Sequence, residues 1–201
     1  TTFDSSGLFW SISCIIDKPL KSYNVNTGQW KSYSFSDILQ DPFDELGFKD
    51  LAIGNDGTKW IGSYLNGVFG FNENGNRLKN IYDENVANLP SPDIRALAMD
   101  NRNQLWIGTN KGLRVLYNTT NFFDEATVST QPIIILEDGI PKELLERQYI
   151  SDIKVDGSNN KWIGTIGAGV FYFTSDGQKT IYHFTKDNSP LPSNNILDLG
   201  I

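Results

Sequence analysis

Apolar residues recur at fixed offsets before a tryptophan in three stretches of the chain. Phe48, Leu51 and Ile53 stand 12, 9 and 7 places before Trp60; Ile94, Leu97 and Met99 stand likewise to Trp106, and Ile150, Ile153 and Val155 to Trp162. Each tryptophan opens a Trp-Ile-Gly run ending in Ser63, Thr109 or Thr165, and a glycine with an aliphatic residue follows at Gly67-Val68, Gly112-Leu113 and Gly169-Val170. Self-similarity of this kind marks a repeat architecture. A worn copy opens the chain, where Asp4, Gly7 and Trp10 keep the spacing of the acid, the turn residue and the indole.

Within each unit the pattern predicts short strands separated by turns. Asp93 to Met99 reads as a first strand, Gln104 to Thr109 as a second and Leu113 to Tyr117 as a third, with Val68 to Phe71 and Val170 to Phe173 as relatives of the third. The intervening Asp100-Asn101-Arg102-Asn103 is rich in residues that tolerate a left-handed backbone or bond their own chain. Fourth strands follow Asn74-Gly75 and Asp176-Gly177, clearest at Asn80 to Tyr82 and Thr180 to Phe184. Four antiparallel strands in a unit of about 45–50 residues is the signature of a β-propeller blade.

The chain is therefore expected to be all-β: a propeller fragment, residues 1–201, of about four four-stranded antiparallel blades around Trp10, Trp60, Trp106 and Trp162. Ile196, Leu199 and Ile201 repeat the opening apolar spacing, so a truncated fifth blade is expected from residue 194. A four-stranded sheet has two faces to cover, so each tryptophan is expected to fill the wedge between neighbouring blades. The following glycine would allow close backbone approach. Leu89-Pro90-Ser91 and Leu191-Pro192-Ser193 recur at the crossings between units. Two insertions, Phe35 to Gly47 and Pro141 to Tyr149, are expected to hold helical turns, the second with Glu143 four residues before Arg147. An open arc would present apolar end faces, so further blades of a parent chain, or self-association, are expected.

Composition sharpens this picture. Twelve per cent aromatic residues and 18 glycines suit β structure, and a net charge of -7 without a basic stripe argues against a nucleic-acid partner. The single cysteine, Cys14, beside Ile15 and Ile16, reads as a buried thiol in a strand.

No catalytic constellation emerges. His183, the only histidine, falls in a strand as a core or rim residue, and no histidine or cysteine partner exists for nucleophilic catalysis or zinc. The turns at Asn55-Asp56-Gly57, Asp100 to Asn103 and Asp156 to Asn160 carry one Asp each, too few for a calcium loop. Glu137-Asp138 and Glu143/Glu146 are imaginable as an acid pair, but read as a solvated surface. Trp30 and Tyr33 leave sugar or peptide stacking open. No catalytic, metal or cofactor-binding residue is assigned, no cofactor is expected, and ligand-binding residues are unassigned.

The run from Asp100 through Leu105-Trp106-Ile107-Gly108-Thr109 to Gly112-Leu113, repeated from Asp156 to Val170, resembles the two-component-regulator propeller repeat. The run from Asn160 to Ile196, together with Tyr23 to Trp30, is more similar to the PorZ-type surface proteins of type IX secretion. The resemblance implies a non-enzymatic extracytoplasmic propeller at the outer-membrane surface or in the periplasm. Its partners would be a glycan or lipopolysaccharide, or proteins of a secretion or signalling complex. The alternatives are a glycan-sensing domain of a hybrid two-component regulator and, more remotely, a propeller lyase or glycosidase.

Overall fold

The computed structural model describes residues 1–39 and 47–201. It contains β strands joined by turns, with no helix among the described residues. The first blade pairs β1 (Thr2–Phe3), β2 (Leu8–Ile12), β3 (Leu20–Asn24) and β4 (Gln29–Tyr33) in chain order. The second pairs β5 (Phe48–Ile53), β6 (Lys59–Ser63), β7 (Val68–Asn72) and β8 (Arg77–Ile81). The third has three strands, β9 (Ile94–Met99), β10 (Leu105–Thr109) and β11 (Gly112–Leu116), and is followed by a separate hairpin of β12 (Ile134–Glu137) and β13 (Ile140–Glu143). The fourth blade comprises β14 (Tyr149–Val155), β15 (Lys161–Ile166), β16 (Gly169–Phe173) and β17 (Thr180–Phe184). All ladders are antiparallel, and the first strands β5, β9 and β14 pack on one another in turn. They are therefore the inner strands of a propeller arc.

The repeated glycine answers to a single side chain of the next blade. A Cβ on Gly62 would lie 2.8 Å from Ile94 Cγ2, one on Gly108 2.5 Å from Ile150 Cγ2, and one on Gly164 2.9 Å from Ile196 Cγ2. Each glycine thus makes room for the isoleucine at the first repeated apolar position of the following unit, and close packing leaves no slack there.

Trp10 and Trp106 are each covered by the lysine that precedes the tryptophan of the next blade. Trp10, Trp60 and Trp106 are buried. The Lys59 ammonium lies 3.9 Å from the Trp10 ring, Leu105 shares an apolar cluster with Trp60, and the Lys161 ammonium lies 4.6 Å from the Trp106 ring. The acid at the start of each turn works inward and outward at once. Oδ1 of Asp4, Asp100 and Asp156 accepts two backbone N–H groups of its own turn. Oδ2 of Asp4 and Asp100 accepts the indole N–H, at 2.7 and 3.4 Å. At Gly54 this acid is missing, and Trp60 Nε1 is buried without a partner. The next blade there supplies Leu105 where the others supply lysine.

Asp100 and Lys161 form the one fully buried cross-blade ion pair among the described residues, at 3.0 Å, and Lys161 Nζ also donates to the Asn159 and Ser175 carbonyls. Burial pushes the Asp100 carboxyl up, but the Gln104 N–H, the Lys161 ammonium and the Arg102 N–H outweigh it and hold it below the usual carboxylate range. Burial pulls Lys161 below the usual ammonium range against the opposing hold of Asp100.

Smaller latches run along the same seams. Asn103 and Asn159, with φ of 59° and 65°, occupy the turn position that Gly7 and Gly57 hold in the earlier blades. Their Oδ1 atoms accept the N–H groups of Asn55 and Asn101 in the preceding blade. On the inner strands, Asp50 Oδ2 accepts Leu97 N–H and Asp152 Oδ2 accepts Leu199 N–H, each at 2.8 Å.

Several expectations differ from the structure. In the third blade no fourth strand forms; residues 117–133 cross over, bonding back through Val115 and Gln131, and insert Phe122 edge-on against Trp60 at 4.7 Å. The helical turn expected at Pro141 to Tyr149 is instead the end of the β12–β13 hairpin and a following turn. Asp138 and Gly139 supply consecutive positive φ values of 52° and 78°, the demand of a two-residue hairpin turn. Glu143 pairs with Arg114 at 2.9 Å, while Arg147 pairs with Glu146. The insertion at Phe35 to Gly47 falls mostly outside the described residues; residues 36–38 form a turn. Cys14 is exposed and lies in a loop, because Ile15 takes a φ of 57° and ends the extended run suggested by its apolar neighbours. Its Sγ meets the Phe48 N–H and C=O at 3.3 and 3.4 Å.

Truncating Asp100 strands the Lys161 charge, so Asp100→Ala is expected to lower the urea-unfolding free energy by about 3–5 kcal/mol at neutral pH. The depressed carboxyl contributes stability above the ordinary carboxylate value and loses it as pH falls through the depressed one. The gap between the native chain and Asp100→Asn therefore narrows below about pH 4; a gap unchanged by acid would contradict this role.

Candidate functional site

Side chains eleven places before each tryptophan share one register position on the inner strands: Lys49 on β5, Arg95 on β9 and Ser151 on β14. They border a cavity of about 140 Å³, with Tyr64 from the β6 exit and Tyr149 at the start of β14. Ile166 and Leu197 complete its apolar side. Strand alternation and the mutual packing of β5, β9 and β14 place this mouth at the axis end of the arc.

Arg95 is its centre. Its guanidinium lies 4.6 Å from the Tyr64 ring and 5.2 Å from the Tyr149 ring, and Nη2 donates to Asp93 Oδ2 at 2.6 Å. Burial pulls the guanidinium down, but the Asp93 carboxylate outweighs it and raises Arg95 above its ordinary value. Asp93 is itself positioned by the crossing: Ser91 Oγ accepts its N–H at 3.1 Å, as Ser193 Oγ accepts that of Asn195 at 3.0 Å. The recurring Leu-Pro-Ser thus sets the chain at the entrance to each inner strand. Tyr64 lies against Gly47, where a Cβ would fall 1.9 Å from the ring.

Four buried polar atoms in this region have no protein partner: Asp93 Oδ1, Arg95 Nε, Asn110 Oδ1 and Ser151 Oγ. Unpartnered buried groups are rare and call for an explanation. The cavity has room for about four or five waters or a small head group of comparable volume. The residues lining the mouth include two cations, Lys49 and Arg95, and two phenols, Tyr64 and Tyr149, with Asp93 tied to Arg95 outside the lining. These groups bind and orient.

Residues weighed from sequence lie elsewhere. His183 stands at the exposed rim on β17, stacked 3.9 Å from Phe171 with Nε2 against the Ala168 carbonyl. Glu137 pairs with Lys142 on the hairpin and Glu143 with Arg114, so the imagined acid pair serves the scaffold. The turn carboxylates are engaged by backbone N–H groups, and no group of metal-binding residues occurs among the described residues. Trp30 is exposed, stacked on Tyr23 at 4.7 Å, whereas Tyr33 stacks on Trp10. A separate apolar groove of about 450 Å³ lies on the fourth blade beside Trp162, Val170, Phe184, Leu191 and Leu199. In earlier blades the equivalent surface is covered by the next blade. The axial cluster escaped sequence reasoning; its signal was the non-apolar position between the repeated apolar residues, which varies as Lys49, Arg95 and Ser151.

Residues 88–111 match the family model described as two component regulator propeller. No curated protein sequence matches the chain. Among solved structures, the chain is similar to PorZ, an essential bacterial surface component of the type IX secretion system of Porphyromonas gingivalis. The identity is 27% and the TM-score 0.83, over 98% of this chain and 28% of PorZ. It is similar in fold to the extracellular domain assigned to a hybrid two-component system of B. thetaiotaomicron, at 20% identity and a TM-score of 0.64, over 98% of this chain and 23% of that one. Virginiamycin B lyase of Staphylococcus aureus shares the fold at 16% identity and a TM-score of 0.58, over 89% of this chain and 53% of the lyase. The chain thus spans roughly a quarter of the length of the first two proteins. It is an all-β propeller arc, similar in build to PorZ over the aligned length.

If both tyrosines hold Arg95, Tyr64→Leu and Tyr149→Leu should each lower stability by about 0.5–2 kcal/mol, and their effects should be non-additive in a double-mutant cycle through Arg95→Met. Additive effects would mean that the rings and the guanidinium do not act together.

Proposed function

We propose that the chain is a non-enzymatic extracytoplasmic propeller module, a binding or scaffold surface of a PorZ-like cell-surface component of type IX secretion. The observation that carries this reading is the likeness to PorZ over 98% of the chain. The axial mouth adds to it: rigid inner strands present cations and aromatic rings, and the only histidine is at a distant rim. Its ligand in this reading is a glycan or lipopolysaccharide, with protein partners of the secretion complex around it. The exposed aromatic face of the fourth blade receives a further blade of the same repeat. Ile196 on Gly164 and Leu199 N–H on Asp152 already repeat the contacts that join the second blade to the third.

A second reading, the ligand-sensing domain of a hybrid two-component regulator, is favoured by the match at residues 88–111. Deleting the coding region in the native host separates the two. The first reading expects surface labelling of the intact protein by a membrane-impermeant reagent and loss of type IX cargo from the surface. Intact cargo with altered transcription of polysaccharide-utilisation genes would replace it with the sensor reading. Polysaccharide cleavage by the purified protein would overturn both.

A further inference from the structure

We propose that the open face of the first blade docks on the open face of the fourth blade of a second copy of this chain, head to tail. This rests on the fourth face receiving a blade of the same repeat, and names the chain that supplies it.

Cross-strand partners share one face of a sheet, so each blade turns a row of side chains, one per strand, toward the blade before it. In the second blade the row is Ile53, Lys59, Phe71 and Leu78. It packs on the first blade: Lys59 lies over Trp10 at 3.9 Å, Phe71 lies 4.7 Å from Tyr33, and Ile53 and Leu78 join the same cluster. In the third blade Met99, Leu105 and Leu116 meet the cluster around Trp60. In the fourth, Val155, Lys161 and Phe173 meet Trp106. Three junctions therefore use one set of register positions.

The same row in the first blade is aromatic and open to solvent. Phe3, Phe9, Tyr23 and Trp30 are successive cross-strand partners, and Phe3 and Trp30 are 60% and 58% exposed. At the register of Tyr23, the later blades bury Phe71, Leu116 and Phe173. A continuous apolar stripe of this kind marks an interaction surface.

The fourth blade offers the matching socket. Trp162 is half-buried, whereas Trp10, Trp60 and Trp106 are buried. Phe184 stands at the register of Tyr33, and Leu191 at that of Leu89, which is buried at the second junction. Both border the groove of about 450 Å³ beside Trp162. The geometry of the first junction, carried to this groove, sets Phe9 of the second copy over Trp162 and its Tyr23 against Phe184. An apolar roof suits this indole. Lysine roofs the other indoles that have an aspartate beside them, but Asp156 Oδ2 already accepts the Tyr172 hydroxyl at 2.9 Å, and its Oδ1 accepts two N–H groups. The inner strands fit as well. β1 has two residues where β5 and β9 have six, and Ile196, seated on Gly164, fills the first apolar position that β1 lacks. Ile201 and Phe3 share one register position, so one of these two exposed ends yields on docking.

One occupant thus answers both open faces. A symmetric pair, first face on first face, would leave Trp162 uncovered. The contact is heterologous, so copies join in rings or chains.

Sedimentation of the 201-residue chain over a concentration series is expected to show species of two or more copies. Trp30→Asp charges the first face and Leu191→Asp the fourth; each alone should weaken association at least about tenfold, a gap of about 1.4 kcal/mol. Equal parts of the two variants should recover a one-to-one pair that grows no further, because each supplies the face the other lacks. The thermal midpoint by circular dichroism reports the fold of each variant, and Phe184→Ser replaces Leu191→Asp if that midpoint falls. A native chain that is monomeric at every concentration would overturn the proposal and leave the fourth face to a blade of the same polypeptide. A folded variant that associates undiminished, or a mixture no better than either variant alone, would also overturn it. If the chain is monomeric while surface labelling and cargo loss hold, the module reading stands and only the second copy falls; association without cargo loss does the reverse.

Discussion

The contact between a blade's central tryptophan and the residue that precedes the next blade's central tryptophan holds the arc together. A four-stranded antiparallel sheet cannot bury either of its faces alone, and a solenoid-like arrangement solves this by making every face an interface. Here the solution is an indole roofed by a side chain from the following blade. The roof is lysine over Trp10 and Trp106, while the corresponding Leu105 belongs to the apolar cluster around Trp60. Its chemistry follows the acid at the preceding turn: aspartate at 4 and 100 accompanies lysine at 59 and 161, and glycine at 54 accompanies leucine at 105. A lysine can be buried over an indole because the cation meets the negative face of the ring and finds oxygen acceptors at its tip. Where the acid is absent, an apolar roof avoids an uncompensated charge.

A second contact between consecutive blades places the candidate site. Gly62 and Gly108 let Ile94 and Ile150 seat at van der Waals distance, which fixes the spacing of β5, β9 and β14. With those strands locked, Lys49, Arg95 and Ser151, one place after Phe48, Ile94 and Ile150, come together from three different blades. A mouth built this way needs no long binding loop, because convergence is supplied by the repeat itself. The cost falls on the polar atoms buried there without a protein partner.

Much of the fold was legible because it repeats. Apolar residues at fixed offsets from Trp60, Trp106 and Trp162 named the strands, and Asp4 with Trp10 identified the first blade despite its lost Ile-Gly-Thr. What escaped was unrepeated. The β12–β13 hairpin occurs once, and its Asp138-Gly139 turn was overshadowed by the acidic residues around it. Cys14 sat in an apolar setting that a single left-handed residue, Ile15, turned to the surface. The axial site was invisible for a deeper reason: Lys49, Arg95 and Ser151 differ from one another, so the search for likeness that revealed the blades passed over the position where they diverge. Arg95 becomes a centre only when Tyr64 and Tyr149, far apart in sequence, arrive from the two neighbouring blades.

Consecutive blades are joined glycine to isoleucine as well as by the roofed indoles. A methyl-resolved nuclear Overhauser spectrum of the isoleucine-labelled chain tests it most directly. The account predicts cross-peaks from the γ2 methyls of Ile94, Ile150 and Ile196 to the α protons of Gly62, Gly108 and Gly164 respectively. Isoleucine methyls that see only protons of their own blade would contradict it.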